Sequence, residues 1–517
     1  MVIMQQSNKK IGQLIYQIRQ DRGLTQTEFA KRLKTSQSAV NRIENGKQNL
    51  SIDTLGRISD VLNKQLINIG TPGLNFRIEG GHKLKGEIEL KSSKNSAVAL
   101  LCASLLNHGV TKFTAFPRIE EVYRIIEVLK SIGVKVKWLP GNSIEIRRPE
   151  KLNLSNIDKE AAKQTRSVLM LIGPLLHEYS SFKIPYAGGC KLGTRTIQPH
   201  LFALEEFGVS IVAKSSNYSI EVKRKPVEEI VLFEQGNTVT NNVLMAAARF
   251  NETTMIHGAS ADYMIQDLCL FLMKLGVKIT GFGTPFLTVK GVANIKKNVT
   301  FAPSEDPIEA MFFLSAAITT NSKITIKRVP YKWIALELLK LKKMGLKYTF
   351  SEKYKSRNEV IDLVDITVYE HNGKLKALED KLHPNLYPGI NPDSLPYFVP
   401  ICGMATGRSL IHDWMYENRA IYYTEMTKIG MNIELADPHR IFIIGPTKFT
   451  VSNIVCPPAL RPASLLLIGM LAANGTSTLR NVYTIQRGYE DLAERLNSLG
   501  ANDGDRTHDT RNHNPVL

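Results

Sequence analysis

The sequence predicts an α/β protein of two similar globes, each made of three copies of one unit, preceded by a small all-α helix-turn-helix domain. Three observations carry this reading. One unit recurs six times: a buried apolar helix, a strand, an amphipathic helix ending in apolar-Gly-apolar, and another strand. Its marker glycines are Gly133, Gly208, Gly276, Gly345, Gly430 and Gly500. Their spacing is roughly 70 residues, and a fixed period of this kind marks a repeat architecture. Strands alternating with helices define the α/β class. Residues 1–70, by contrast, read as short helices only.

Composition bounds the possibilities. At 517 residues the chain is too long for one core. A net charge of +18 points to anionic partners: nucleic acid, nucleotides or phosphorylated metabolites. The longest apolar stretch, residues 465–473, is too short to span a bilayer. The opening MVIMQQSNKK has no apolar signal core, so no membrane partner and a cytoplasmic location are expected. Five cysteines (Cys102, Cys190, Cys269, Cys402, Cys456) are scattered, odd in number and without C-x-x-C. That argues against a disulfide framework or a zinc site, and no metal is expected.

Residues 1–70 carry eleven Lys or Arg against five Asp or Glu, so 11 − 5 = +6. Residues 11–21 read as an amphipathic helix. Thr25-Gln26-Thr27-Glu28 is a capping box that opens a helix running to about Leu33. Lys34 and Thr35 turn the chain, and Ser36 caps a helix with Val40 and Ile43 inward, ending at Asn45-Gly46. A fourth helix spans residues 51–62. Two short helices about a brief turn make a helix-turn-helix. Through GLTQTEFAKRL and SQSAVNRIENGKQ this segment resembles the Xre/Cro (lambda-repressor-like) DNA-binding family. The resemblance implies that Gln26 touches backbone phosphate and that Gln37, Ser38, Asn41 and Arg42 reach base edges or phosphate. The bland alternative is a protein-binding module with a solvated polar face. DNA is the favoured partner of residues 1–70, and one such small footprint calls for a homodimer. Residues 71–74 form a punctuated linker.

The repeats act as an internal control, because a residue that breaks the pattern in one copy was not placed there by the fold. At the starts of the buried helices stand Lys94, Arg166, Asn241, Asp306, Asp393 and Arg461. A cation at a helix N-terminus opposes the dipole. Three cations in equivalent positions therefore point to a bound anion that reverses the argument. The loops ahead of the amphipathic helices add Cys190 and Arg195 in PYAGGCKLGTR, Arg419 in YENR and Arg487 in IQRGYE. Gly188-Gly189 permit close backbone approach, and Lys191 and Arg195 beside Cys190 are expected to favour its thiolate. Cys102, Cys269 and Cys402 sit in apolar helical runs and read as inert filler.

At these residues the chain resembles the enolpyruvyl transferase family, and within it the branch acting on UDP-N-acetylglucosamine. The resemblance covers about residues 75–502. Its motifs are SSKNSAVA, QTRSVLMLIGPLL, GGCKLGTR, PGINPD, ENR, LRPAS and RGYE. It implies two inside-out α/β barrels, with residues 94–304 forming the catalytic-loop barrel (repeats 1–3). Residues 75–93 plus 305–502 form the second barrel (repeats 4–6). It further implies transfer of the enolpyruvyl group of phosphoenolpyruvate to the 3-hydroxyl of UDP-N-acetylglucosamine with release of phosphate, the first committed step of peptidoglycan synthesis, without a cofactor. Carried over, Lys94, Arg195 and Arg487 hold the phosphate, and Arg419 and Arg461 hold the carboxylate. Cys190 is the general acid to C3, Asp393 takes the sugar proton, and Asn95 and Arg166 position substrate.

Three departures stand out. Ala459 replaces the acid of the family's D-L-R. Arg195-Thr196-Ile197-Gln198-Pro199-His200 alters the stretch expected at the uracil ring. Gly236-Asn237-Thr238 and Glu234 alter the other nucleotide-facing segment. Residues 503–517 lack any alternation and read as an unrelated disordered tail, as from a frameshifted gene end. Ala459 opens a second functional reading: a DNA-binding regulator that uses a degenerate transferase domain as a nucleotide-sugar sensor. Retention of Cys190, Asp393 and Lys94 favours the enzyme.

Overall fold

The computed structural model describes residues 2–48, 50, 52–62, 75–186, 196–214 and 217–500. Cys190, Arg195, the linker 71–74 and the tail 503–517 lie outside the described residues.

Four helices come first: α1 (Val2–Asp21), α2 (Gln26–Arg32), α3 (Gln37–Glu44) and α4 (Ile52–Leu62). Helix α1 starts well before the expected residue 11. The capping box at Thr25 is formed in both directions, and the Ser36 hydroxyl accepts the Ala39 N–H. Lys34 turns the chain at φ 52°. Ile15, Ile18, Phe29, Val40, Ile43 and Ile58 form a hydrophobic core separate from that of the repeats. Arg19 pins α1 to α3 through Glu44, at 3.0 Å from Nη2 to Oε2.

The repeats follow as six small sheets, one per copy. Copy one shows the plan. Its buried helix is α5 (Lys94–Ala103), followed by β3 (Val110–Phe113), the amphipathic helix α6 (Glu120–Ser131) and the hairpin β4 (Lys135–Leu139) and β5 (Ser143–Arg147). The strand Val299–Phe301 joins β3 in parallel, and β5 runs antiparallel to it. The marker glycines have one physical cause: all six adopt left-handed φ, from 79° to 104°. They end the amphipathic helices, where a residue with a Cβ is strained.

Two strands ahead of α5 pair with the sheets of copies six and four. Strand β1 (Phe76–Gly80) pairs antiparallel with Gly475–Arg480 of copy six, in the slot that β5 fills in copy one. Strand β2 (Lys85–Glu89) pairs in parallel with Lys323–Val329 of copy four. The buried helices meet in two groups of three. Helices α5 and Asn237–Ala247 pack with the copy-two segment in one, and Pro307–Thr319, Phe398–Met404 and Leu460–Ala472 pack together in the other. All thirteen residues of Pro307–Thr319 are buried. Helices inside and sheets outside make two inside-out α/β barrels.

Two local expectations change. Copy two opens on a 3-10 helix, Arg166–Leu171, before a short α-helix. Asn241 lies a turn inside Asn237–Ala247, where its amide points to the Met170 sulfur; it is a core residue and not a helix start. No described helix is long and apolar enough to cross a membrane.

Candidate active site and candidate nucleic-acid interface

The buried helices of both barrels direct their first residues to one place. Lys94 opens α5, its backbone N–H 3.4 Å from Asp306 of the other barrel. Asp306 caps Pro307–Thr319. Arg461 is the second residue of Leu460–Ala472, and Asp393 lies just ahead of the 3-10 turn Leu395–Tyr397. Arg419 opens the short helix Arg419–Tyr423, and Arg487 ends the turn after Tyr483–Gln486.

Asp393 is the hub. One carboxylate oxygen accepts from Arg461 at 3.2 Å, and the other lies 3.9 Å from Arg419. Burial would raise its pKa, but Arg461, Arg419 and Lys94 outweigh burial and hold it at about 2. Arg461 also donates to the hydroxyls of Tyr489 at 2.9 Å and Tyr397 at 3.2 Å. Arg419 is fully buried and rigidly held. It forks onto Asp413 at 2.5 and 2.8 Å, donates to the Pro392 carbonyl at 2.7 Å, and lies 4.1 Å above the Tyr416 ring.

A second charge cluster adjoins it. Arg487 donates to Glu121 at 2.8 Å, and the other oxygen of Glu121 accepts the Thr165 hydroxyl at 2.7 Å. Burial would raise the Glu121 pKa, yet Lys94, Arg487 and Thr165 bring it below its ordinary value. Burial lowers the Lys94 ammonium; Glu121 and Asp393 pull it back up, while Arg461 and Arg487 press it down. Sequence reasoning missed Glu121, one of two acids in the first turn of α6. Asp262 was missed as well, and Asp306 was named only as a helix start; each is raised to about 6 chiefly by burial. Asp262 accepts from Asn237 at 3.1 Å and Asn391 at 3.2 Å, bridging the barrels.

The remaining predicted residues stand further out. The Asn95 amide donates to the Tyr263 hydroxyl at 3.4 Å. Arg166 donates to the Thr196 carbonyl at 2.7 Å, where the Cys190 segment rejoins the described chain. Cys102, Cys269 and Cys402 are fully buried, with thiols pushed up to about 12 by burial, as filler should be. Two of the sequence departures touch: His200 bonds Thr238 at 3.1 Å and Asn242 at 3.0 Å. Ala459 sits at the N-cap of Leu460–Ala472 with no side-chain cap. Among the described residues no group of three or more His, Cys, Asp or Glu could hold a metal ion.

On the helix-turn-helix, Ser38, Asn41 and Arg42 are exposed on one face of α3. Gln26 and Gln37 are tied to each other: Gln37 donates to Gln26 at 2.8 Å, and Gln26 donates to Glu44 at 2.8 Å. That bond fixes α2 against α3.

Comparison with known proteins places this architecture. Residues 78–496 match the EPSP synthase (3-phosphoshikimate 1-carboxyvinyltransferase) family, and residues 15–67 match a helix-turn-helix family. A UDP-N-acetylglucosamine 1-carboxyvinyltransferase 1 of Legionella pneumophila is 32% identical over 436 residues, covering 83% of this chain and 82% of its own. The UDP-N-acetylglucosamine 1-carboxyvinyltransferase of Bacteroides thetaiotaomicron is 30% identical, covering 83% and 98%. Among solved structures, the enolpyruvyl transferase NikO from Streptomyces tendae shares the fold with a TM-score of 0.72 at 19% identity, over 83% of this chain and 98% of that one. The chain belongs to the enolpyruvyl transferase family and carries a helix-turn-helix domain ahead of its two barrels.

Proposed function

We propose that the chain transfers the enolpyruvyl group of phosphoenolpyruvate to the 3-hydroxyl of UDP-N-acetylglucosamine, releasing phosphate, and that residues 1–70 bind DNA. One observation carries the enzymatic reading: a carboxylate held in its ionised form between two buried arginines, Arg461 and Arg419, beside Lys94. A binding module has no need of an ionised carboxylate inside an anion site. A base that must take a proton does.

In this reading the substrate carboxylate enters between Arg419 and Arg461, and its phosphate lies against Lys94 and Arg487. Arginine forks suit both anions. As the substrate carboxylate takes up Arg461, Asp393 loses part of its charge compensation and its basicity rises, so the base is activated by the substrate it serves. The sugar oxygen attacks C2 while Asp393 takes its proton, and Cys190 delivers a proton to C3. Elimination of phosphate with loss of a C3 proton restores the double bond. The relatives named UDP-N-acetylglucosamine 1-carboxyvinyltransferase support the acceptor.

Ala459 favours the second reading, a DNA-binding regulator that senses a nucleotide sugar. Phosphate release from phosphoenolpyruvate with UDP-N-acetylglucosamine separates the two. Turnover by the wild type and its loss in Cys190→Ala are expected; absence of product from the wild type would leave the sensor.

A further inference from the structure

The helix-turn-helix unit does not hang free. The end of α1 and the turn after it are seated on copy one. The Arg22 guanidinium lies 3.9 Å above the Tyr123 ring and 2.7 Å from Glu120, with both charged side chains almost wholly buried. The Trp138 indole donates to the Asp21 carbonyl at 3.1 Å, and Arg118 donates to the Gly23 carbonyl at 3.1 Å. Gly23 is needed there: its φ is +66°, and a Cβ would fall 2.6 Å from Trp138. Arg32 reaches Asp491 of copy six at 3.4 Å. The unit thus bridges one barrel and the other while Ser38, Asn41 and Arg42 stay exposed.

The two stretches that hold it are the same two that close the phosphate cluster. Glu120 faces Arg22, and its neighbour Glu121 takes Arg487. Downstream of Arg487, Glu490 accepts the Arg118 backbone N–H at 2.8 Å, and Asp491 meets Arg32. Glu121–Arg487 is therefore a latch between the barrels, with the DNA-binding unit resting on its back. A phosphate arriving at Lys94 and Arg487 competes with Glu121 for the same cations.

We infer that an anion in the cleft controls how the DNA-binding unit is seated: it draws Arg487 from Glu121, and the displacement passes through Glu120 to Arg22. This rests on the reading of the cleft as a phosphoenolpyruvate site and adds its regulation. The coupling is reciprocal: a unit held in its seat weakens the cleft ligand by the same factor by which that ligand loosens the seat.

The test uses the full chain. Amide exchange of residues 18–24 is measured with and without saturating phosphoenolpyruvate plus UDP-N-acetylglucosamine, alongside phosphate release from the same preparation. Ligand should speed exchange in this segment by about fivefold or more, the size of an ordinary coupling. Glu121→Gln, which opens the latch without ligand, should do the same unliganded. Glu120→Gln should leave phosphate release near wild type while exchange is already fast and no longer responds. Exchange that is unchanged both by ligand and by Glu121→Gln overturns the coupling and makes the seat a rigid anchor. If no phosphate is released, the transferase reading falls, and the Glu121→Gln arm alone decides the coupling.

Discussion

Asp393→Asn should weaken catalysis and tighten ground-state binding at the same time. The Asp393 carboxyl is brought from 3.8 to about 2 by Arg461, Arg419 and Lys94 working against burial. At about 1.36 kcal/mol per pKa unit, that net coupling is on the order of 2 kcal/mol. A substrate anion that uses those cations must displace it. Asparagine keeps the shape and removes the charge, so phosphoenolpyruvate should bind between about tenfold and 60-fold more tightly. The rate should fall by roughly 10²–10⁴, as for loss of a general base. Titration calorimetry with phosphoenolpyruvate at pH 7, beside phosphate release, reads both. Binding that is unchanged or weaker would refute the picture of Asp393 as occupant of the anion site.

Further outcomes follow from the same interactions. Asp413→Asn removes the partner of a fully buried Arg419 and should cost about 3–5 kcal/mol in urea unfolding; a small loss would mean that Pro392 and Tyr416 hold the arginine unaided. Asp267 is pushed up to about 6 by burial, so its contribution to stability is complete below 3.8 and is lost as pH rises from 3.8 to about 6. Asp267→Asn should flatten the melting temperature across that window, and an unchanged slope would assign the effect to Asp262 and Asp306, which shift the same way. Ala459→Asp supplies the missing cap of Leu460–Ala472 and should raise stability by about 1 kcal/mol in calorimetry. Arg42→Ala should weaken DNA binding and lower its salt slope by about 1 in a filter-binding series, whereas an unchanged slope would remove Arg42 from the phosphates.

Much of this was legible in the chain. The six glycines announced the repeats because a left-handed helix stop has few other solutions. Lys94, Arg461 and Asp393 stood out as charged residues at helix starts, and the structure brings them together, whereas Arg166, also a cation at a helix start, lies further out against Thr196. Glu121 stayed hidden for a physical reason: an acid in the first turn of a helix is ordinary, and only the distant Arg487 and Thr165 give it a task. The burial of nine of the twelve residues of α6 was also beyond sequence reasoning. Its amphipathic pattern promised a half-exposed helix, and the outer face is covered by a unit whose own sequence carries no sign of where it lands. The bond between Gln26 and Gln37 was not legible either, since no local pattern pairs two amides that lie on different helices.

The pairing of β1 with Gly475–Arg480 has a consequence during synthesis. Phe76 and Leu479 lie opposite one another, 479 − 76 = 403 residues apart. The helix-turn-helix unit, with a core of its own, has everything it needs to fold as soon as it leaves the ribosome. Strand β1 then waits, with an open edge, until nearly the whole chain has been translated. A nascent chain therefore presents a finished helix-turn-helix head attached to an incomplete second barrel, and premature termination in copy six would release a head able to fold with no completed barrel beside it.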